Sequence, residues 1–191
     1  MEQPRIYSAD GIILKRKNVG EADRILTMFA KQYGKIRVLA KGVRKITSRR
    51  SSHVELFRFV HVIIHRGKTF DMVSEAETIK PFEGISDTVT KIHFAYYLCE
   101  LVDHLTAEAV RHDDIVENLT KALDTISKSR MDKECTVITT EFAVWLVKNL
   151  GFIPPTQTIV PSSIPTLIEH ITERKFHTPR ILRKLWESRV R

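Results

Sequence analysis

Between residues 6 and 79 the apolar side chains come in short runs broken by turn residues, a pattern of strands rather than of helices. Gly11-Ile12-Ile13-Leu14 predicts the first strand, with Ile6 and Tyr7 before it and the polar Lys15-Arg16-Lys17-Asn18 after it. Arg24 to Ala30 (RILTMFA) predicts the second and ends at the turn signal Tyr33-Gly34. Lys35 to Gly42 alternates basic and apolar residues at its start. In a strand this places Ile36 and Val38 on one face and Lys35 and Arg37 on the other. Phe57 to Ile64 predicts a fourth strand, and Phe70 to Ile79 a fifth that stops at Pro81.

From Ser86 onward the period changes to that of helices. Val89, Ile92, Ala95, Tyr96, Cys99 and Val102 recur at helical spacing, and Phe94, Leu98, Leu101 and Leu105 widen the stripe until it nearly encircles the helix. Such a helix has to be central in its domain. Asp113 and Asp114 cap a second helix carrying Ile115, Leu119, Ala122, Leu123 and Ile126. A third spans about Lys133 to Leu150 and stops at Gly151. Ile164 to Arg174 predicts another, and Thr178-Pro179 opens a last one. The fold class is therefore α+β: a five-stranded barrel of the oligonucleotide/oligosaccharide-binding (OB) type over residues 1–82, then an all-α domain over 83–191.

Composition narrows the function classes. With 42% hydrophobic and 28% charged residues, the 191-residue chain is an ordinary globular protein. Its two cysteines, Cys99 and Cys135, lie in apolar helical stretches, which excludes a disulfide scaffold and a four-cysteine zinc site. No apolar run approaches the length of a membrane span and the first residues lack a signal-peptide core, so the expected compartment is the cytoplasm.

The net charge of +8 is uneven: +9 over residues 1–80, −5 over 81–159 and +4 over 160–191. From Arg24 to Val54 there is no acidic residue, against nine basic ones. At the centre of this stretch, Ala40-Lys41-Gly42-Val43-Arg44-Lys45-Ile46-Thr47-Ser48-Arg49-Arg50-Ser51-Ser52 combines cations, glycine and small hydroxyls in a loop leaving the third strand. Phosphate binding needs this chemistry: mobile cationic heads, approachable backbone amides and hydroxyl donors. A solvated loop that serves only solubility is the competing explanation. Tyr7, Phe29, Tyr33, Phe57, Phe59 and Phe70 lie among the same strands, mostly as core; Tyr33 and Phe70, at strand ends, are the candidates for meeting a base.

His61-x-x-x-His65 has neither a third ligand nearby nor an HExxH pattern, so no metal or other cofactor is expected. Phosphate-loop and dinucleotide fingerprints are missing too. No nucleophile–base arrangement stands out, and an enzyme is not expected.

Three sequence blocks stand out together: Gly11-Ile12-Ile13-Leu14, then Gly20-Glu21-x-Asp23-x-Ile25-Leu26-Thr27-x-Phe29, then Tyr33-Gly34-Lys35-Ile36-x-x-Leu39-Ala40-Lys41-Gly42-x-Arg44. This ladder closely resembles the N-terminal domain of the RecO family of bacterial recombination mediators. The likeness continues through Phe57, Arg66-Gly67 and Ala76-Glu77, resumes at Phe142 to Pro154, and includes His177 to Leu185. The resemblance implies a barrel that binds single- and double-stranded DNA, anneals complementary strands even when coated by single-stranded DNA-binding protein (SSB), and works with RecR to load recombinase. It also implies a bacterial, nucleoid-associated setting, with no membrane and no small-molecule substrate. On that pattern Lys35, Arg37, Lys41, Arg44, Lys45, Arg49 and Arg50 are the DNA-contacting positions, with Arg24 and Lys15 as further candidates.

Many members carry a four-cysteine zinc motif after the helix that ends near Pro154; Thr156 to Ser163 holds no cysteine, so that insertion is expected to be absent. His177-Thr178-Pro179 stands where the family usually has Lys-Ser-Arg. The basic residues Arg174, Lys175, Arg180, Arg183 and Lys184 are either a solvated helix face or a receiver for DNA or the acidic SSB tail. The alternative class of function is a non-catalytic adaptor whose basic face docks RNA or an acidic protein.

Overall fold

The computed structural model describes residues 4–160 and 163–173. The predicted final helix from Thr178 and the basic residues from Arg174 onward lie outside them. The chain divides into two compact units. The first runs to Pro81 and takes in Ala107–Val116, and the second holds Phe82–Thr106 and the chain from Glu117 onward.

In the first unit five strands form a closed barrel in the order β1-β2-β3-β5-β4: β1 (Ile6–Val19), β2 (Asp23–Ala30), β3 (Gly34–Ala40), β4 (Phe59–His65) and β5 (Asp71–Lys80). This is the five-stranded barrel that the short apolar runs predict. β1 is long enough to serve two neighbours: it pairs with β4 from Ile6 to Ile12 and with β2 from Gly11 to Val19. A shift of register between Ile13 and Lys15 bends the strand as it passes from one to the other. Alternation then fills the interior. Ala9, Ile13, Leu26, Met28, Val38, Val60, Val62, Ile64 and Val73 are buried together, with Ile36 packed at their edge.

Ile36 and Val38 thus point inward and Arg37 outward, as the alternation requires. Lys35 differs. It sits on the outer face yet is only 9% exposed. A segment far along the chain lies beside it: Glu108 forms a parallel bridge with Lys35, and the Ala109 amide donates to the Lys35 carbonyl at 3.0 Å. The same segment explains Gly34. Its φ is +66°, and a Cβ at that position would run into the main-chain carbonyl of Val110.

After β5 a 3-10 turn (Glu83–Asp87) leads into α1 (Val89–Leu105), followed by α2 (Asp113–Lys128), α3 (Asp132–Asn149) and α4 (Ile164–Thr172). These belong to the second unit, except that the first turn of α2, Asp113–Val116, is counted with the first. α1 is buried over most of its circumference, including Phe94, Ala95, Leu98, Leu101 and Val102, which is the placement its wide stripe predicts. Thr88 caps it by accepting from the Lys91 amide at 3.2 Å. The buried Lys91 ammonium is satisfied by the Ser127 carbonyl at 3.0 Å and by Asp87 at 3.4 Å. α2 buries Ile115, Leu119, Leu123 and Ile126, and α3 buries Cys135, Phe142, Ala143 and Leu146. Both cysteines are free and buried, and desolvation pushes the Cys99 thiol far above its usual pKa. Among the described residues no helix is long and apolar enough to cross a membrane.

Two substitutions test this account by urea unfolding. Leu98→Ala, at a fully buried position of α1, is expected to lose about 2–5 kcal/mol. Gly34→Ala is expected to lose more than about 1 kcal/mol, because it combines a left-handed φ with a backbone collision. A Gly34→Ala midpoint equal to that of the parent would show that the 108–110 segment does not hold β3.

Candidate nucleic-acid interface

On the outer face of β1-β2-β3, directly opposed residues form cross-strand rows. One row is Lys15, Thr27 and Arg37; the next is Lys17, Ile25 and Leu39. Lys15, Lys17 and Arg37 therefore share one face of the sheet and stand beside the half-buried Ile25 and Leu39. Lys17 was not among the expected contacts, although the Lys15-x-Lys17 spacing of two already places it on the face of Lys15.

The basic loop begins at the end of this face. Gly42 turns it with φ +67°, and the Gly42 amide donates to Asp23 Oδ1 at 2.7 Å. The Arg44 amide donates to the Ala22 carbonyl at 2.9 Å, and its guanidinium donates to the Gly20 carbonyl at 3.1 Å. These bonds tie the first half of the loop to the β1–β2 turn.

The second half is tied to β5. β3 and β5 are paired only at Val38–Asp71 and Leu39–Met72, so the remaining edge of β5 needs other partners. The Arg50 guanidinium donates to the carbonyls of Val73, of Ser74 at 3.3 Å and of Lys41 at 2.8 Å. Three residues on, His53 Nδ1 accepts the Thr78 amide at 3.1 Å. Glu55, the first acid after the basic stretch, takes both Arg16 and Arg24, the latter at 3.0 Å.

The expected cations consequently have different fates. Lys41, Arg44, Lys45 and Arg49 are exposed on the loop, and Lys15 is exposed on the strand face. Arg37 is exposed and paired with Glu108 at 2.8 Å. Arg24 is only 17% exposed and turned toward Glu55. Arg50 is half-buried with its guanidinium directed at main-chain carbonyls, and Lys35 is buried beneath the Glu108 segment. The structure thus brings the loop cations and the strand-face cations onto one barrel, while Lys35, Arg24 and Arg50 face protein groups.

Of the aromatic residues, Phe29 and Phe57 are buried. Phe59 lies under the Lys31 ammonium, 5.3 Å from the ring centre. Tyr33 packs edge-on against Tyr7 at 4.9 Å, and the Arg66 guanidinium covers Tyr7 at 4.8 Å. Burial, and then the hydrogen bond that Tyr7 donates to Asp71 at 2.6 Å, hold the Tyr7 phenol protonated far above the usual tyrosine range. Phe70 is exposed. His61 pairs with Asp10 at 2.6 Å, and among the described residues no three His, Cys, Asp or Glu side chains converge as a metal site.

The family described as Recombination protein O N terminal matches residues 1–82, and the one described as Recombination protein O C terminal matches residues 87–160. The chain is 32% identical over 154 residues to the DNA repair protein RecO of Dehalococcoides mccartyi, covering 81% of this chain and 60% of the relative. It is 34% identical over 111 residues to the protein of that name from Pelotomaculum thermopropionicum, covering 58% and 43%. With the Trichodesmium erythraeum protein it shares 36% identity over 124 residues, covering 65% and 43%. The matched stretch thus spans 43–60% of the length of these relatives.

Arg50 is expected to act as a clasp. Arg50→Ala should raise amide hydrogen exchange across residues 42–54 and at Thr78 at least about tenfold, and lower stability by about 1–3 kcal/mol. Unchanged exchange would mean that the loop is held by its other contacts.

Proposed function

Because the chain belongs to the RecO family, we propose that its barrel is a phosphate-binding module for DNA and that the protein acts in repair and recombination. The observation that carries this reading is the arrangement of the loop: Lys41, Arg44, Lys45 and Arg49 are exposed on a segment tied at both ends to a rigid barrel, beside Lys15, Lys17 and Arg37. A solubility loop has no need of such anchoring. On this reading the four loop cations contact phosphates of single and double strands. Arg24 and Arg50 are positioning residues that hold the loop, and Arg37 exchanges Glu108 for a phosphate when a strand binds.

Annealing follows from charge neutralisation. Two strands repel each other through their phosphates. A protein that coats them with cations while leaving the base edges accessible lets them search for pairing. In the family's pattern the same activity extends to SSB-coated strands and to recombinase loading with RecR, and we assign these partners to this chain as part of the proposal. No step of this function requires a reactive side chain, and the protein acts by binding.

If about six phosphates are contacted, the logarithm of single-strand affinity should fall against the logarithm of salt concentration with a slope of roughly −4. The triple variant K41E/K45E/R49E is expected to lose DNA binding and annealing while keeping its circular dichroism and melting temperature. It spares Arg44 and Arg50, whose guanidinium groups bond main-chain carbonyls that hold the loop. A slope near zero, or wild-type affinity in the triple variant, would overturn the electrostatic account.

A further inference from the structure

The outer row that carries Leu39 continues past the basic face. Leu39 is paired with Met72 on β5, Met72 with His65 on β4, and His65 with Ile6 on β1. Opposed residues share a face, so this row runs across the remaining strands of the barrel. Ile6 is 51% exposed, Met72 39%, and Phe70, just before β5, 38%. Isolated apolar residues on a surface need no explanation, but three in one neighbourhood do.

The loop that presents Phe70 is firmly fixed. The Arg66 amide donates to the Arg5 carbonyl at 2.9 Å, and Arg66 Nε donates to the Pro4 carbonyl at 3.1 Å. The Gly67 amide donates to Asp71 Oδ1 at 3.2 Å, and the other oxygen of Asp71 takes the Tyr7 hydroxyl. A Cβ on Gly67 would strike the carbonyl of Phe70, so the two residues are in close contact. Phe70 is an aromatic ring held in water by a loop that has little freedom to withdraw it. The exposed cations near it in the chain are Arg5, Arg66 and Lys68, and the one carboxylate of the loop, Asp71, is already engaged.

Met72 and Ile6 flank the exposed His65 in one outer-face row that begins at Leu39 beside the basic face, and Phe70 stands two residues before Met72. With the exposed Arg66 and Lys68 near Phe70 in the chain and Arg5 bonded to Arg66, this combination fits a strand whose bases are unpaired. Bases have apolar faces, and a duplex hides them. We propose that Phe70 and Met72, with Ile6 at the far end of the row, form a base-contacting platform that gives the barrel a preference for single strands. The cations alone confer no such preference. The platform rests on the DNA-binding reading above and assigns it a second, non-electrostatic component.

The test compares the intact protein with F70A/M72S on a single-stranded oligothymidine and on a duplex of equal length. The expected result is a loss of about tenfold in single-strand affinity, with duplex affinity and the single-strand salt slope unchanged. F70W/M72S should recover most of the loss, because a larger ring restores stacking. Equal losses on both substrates, or no loss on either, would overturn the platform while leaving DNA binding in place. Failure of the parent protein to bind either substrate would overturn the DNA-binding reading and the platform together. If the double variant keeps its single-strand affinity but loses binding to an acidic, phenylalanine-containing peptide, the row is a protein-docking surface and the platform is excluded.

Discussion

The seam between β3 and β5 constrains everything around it. A five-stranded barrel can close here only through a parallel pairing, and that pairing is two residues long on each strand. Beyond it the carbonyls of Val73 and Ser74 and the amide of Thr78 still require partners, because a folded backbone does not leave such groups unpaired away from water. The connection from β3 to β4 supplies those partners through Arg50 and His53. It is therefore pinned along β5 instead of standing off the barrel. A segment held in this way can present charge in a fixed pattern.

The seam also sorts the cations. Arg50 completes the backbone, and Arg16 and Arg24 converge on Glu55, so these guanidinium groups serve the closure of the barrel. Of the loop cations, Lys41, Lys45 and Arg49 stay in water, and Arg44 does both: it is exposed and also donates to the Gly20 carbonyl. One stretch of sequence thus supplies both the fastening of the loop and its charge. Removing a fastening cation and removing a water-facing one are different perturbations even when the residues are neighbours, as Arg49 and Arg50 are.

The strands were legible because their cores alternate cleanly and their turns carry glycine; both signals are local. α1 was legible because its apolar positions nearly surround it. The acid-free run from Arg24 to Val54 marked the candidate face for the same reason: it lies within one continuous stretch. Lys35 shows where this reasoning ends. Its place opposite Val38 in the alternation is correct, but what covers it arrives some seventy residues later, and no periodicity in β3 encodes a bridge to Glu108. Arg24 and Arg50 follow the same logic. Composition makes them resemble their neighbours, and only the three-dimensional placement of Glu55 and β5 separates them. Lys17 was within reach of the strand period.

The segment from Ala107 to Val116 belongs to the barrel's compact unit although α1 intervenes in the chain. The matched family segments meet between residues 82 and 87, well before it. A fragment cut at that junction would carry all five strands and lack the piece that bridges Lys35 and packs on Gly34. It would expose the outer flank of β3, including the Lys35 carbonyl that Ala109 satisfies. An isolated barrel produced from such a fragment would offer an open strand edge for pairing with a second copy. For this chain, the natural unit of dissection is discontinuous.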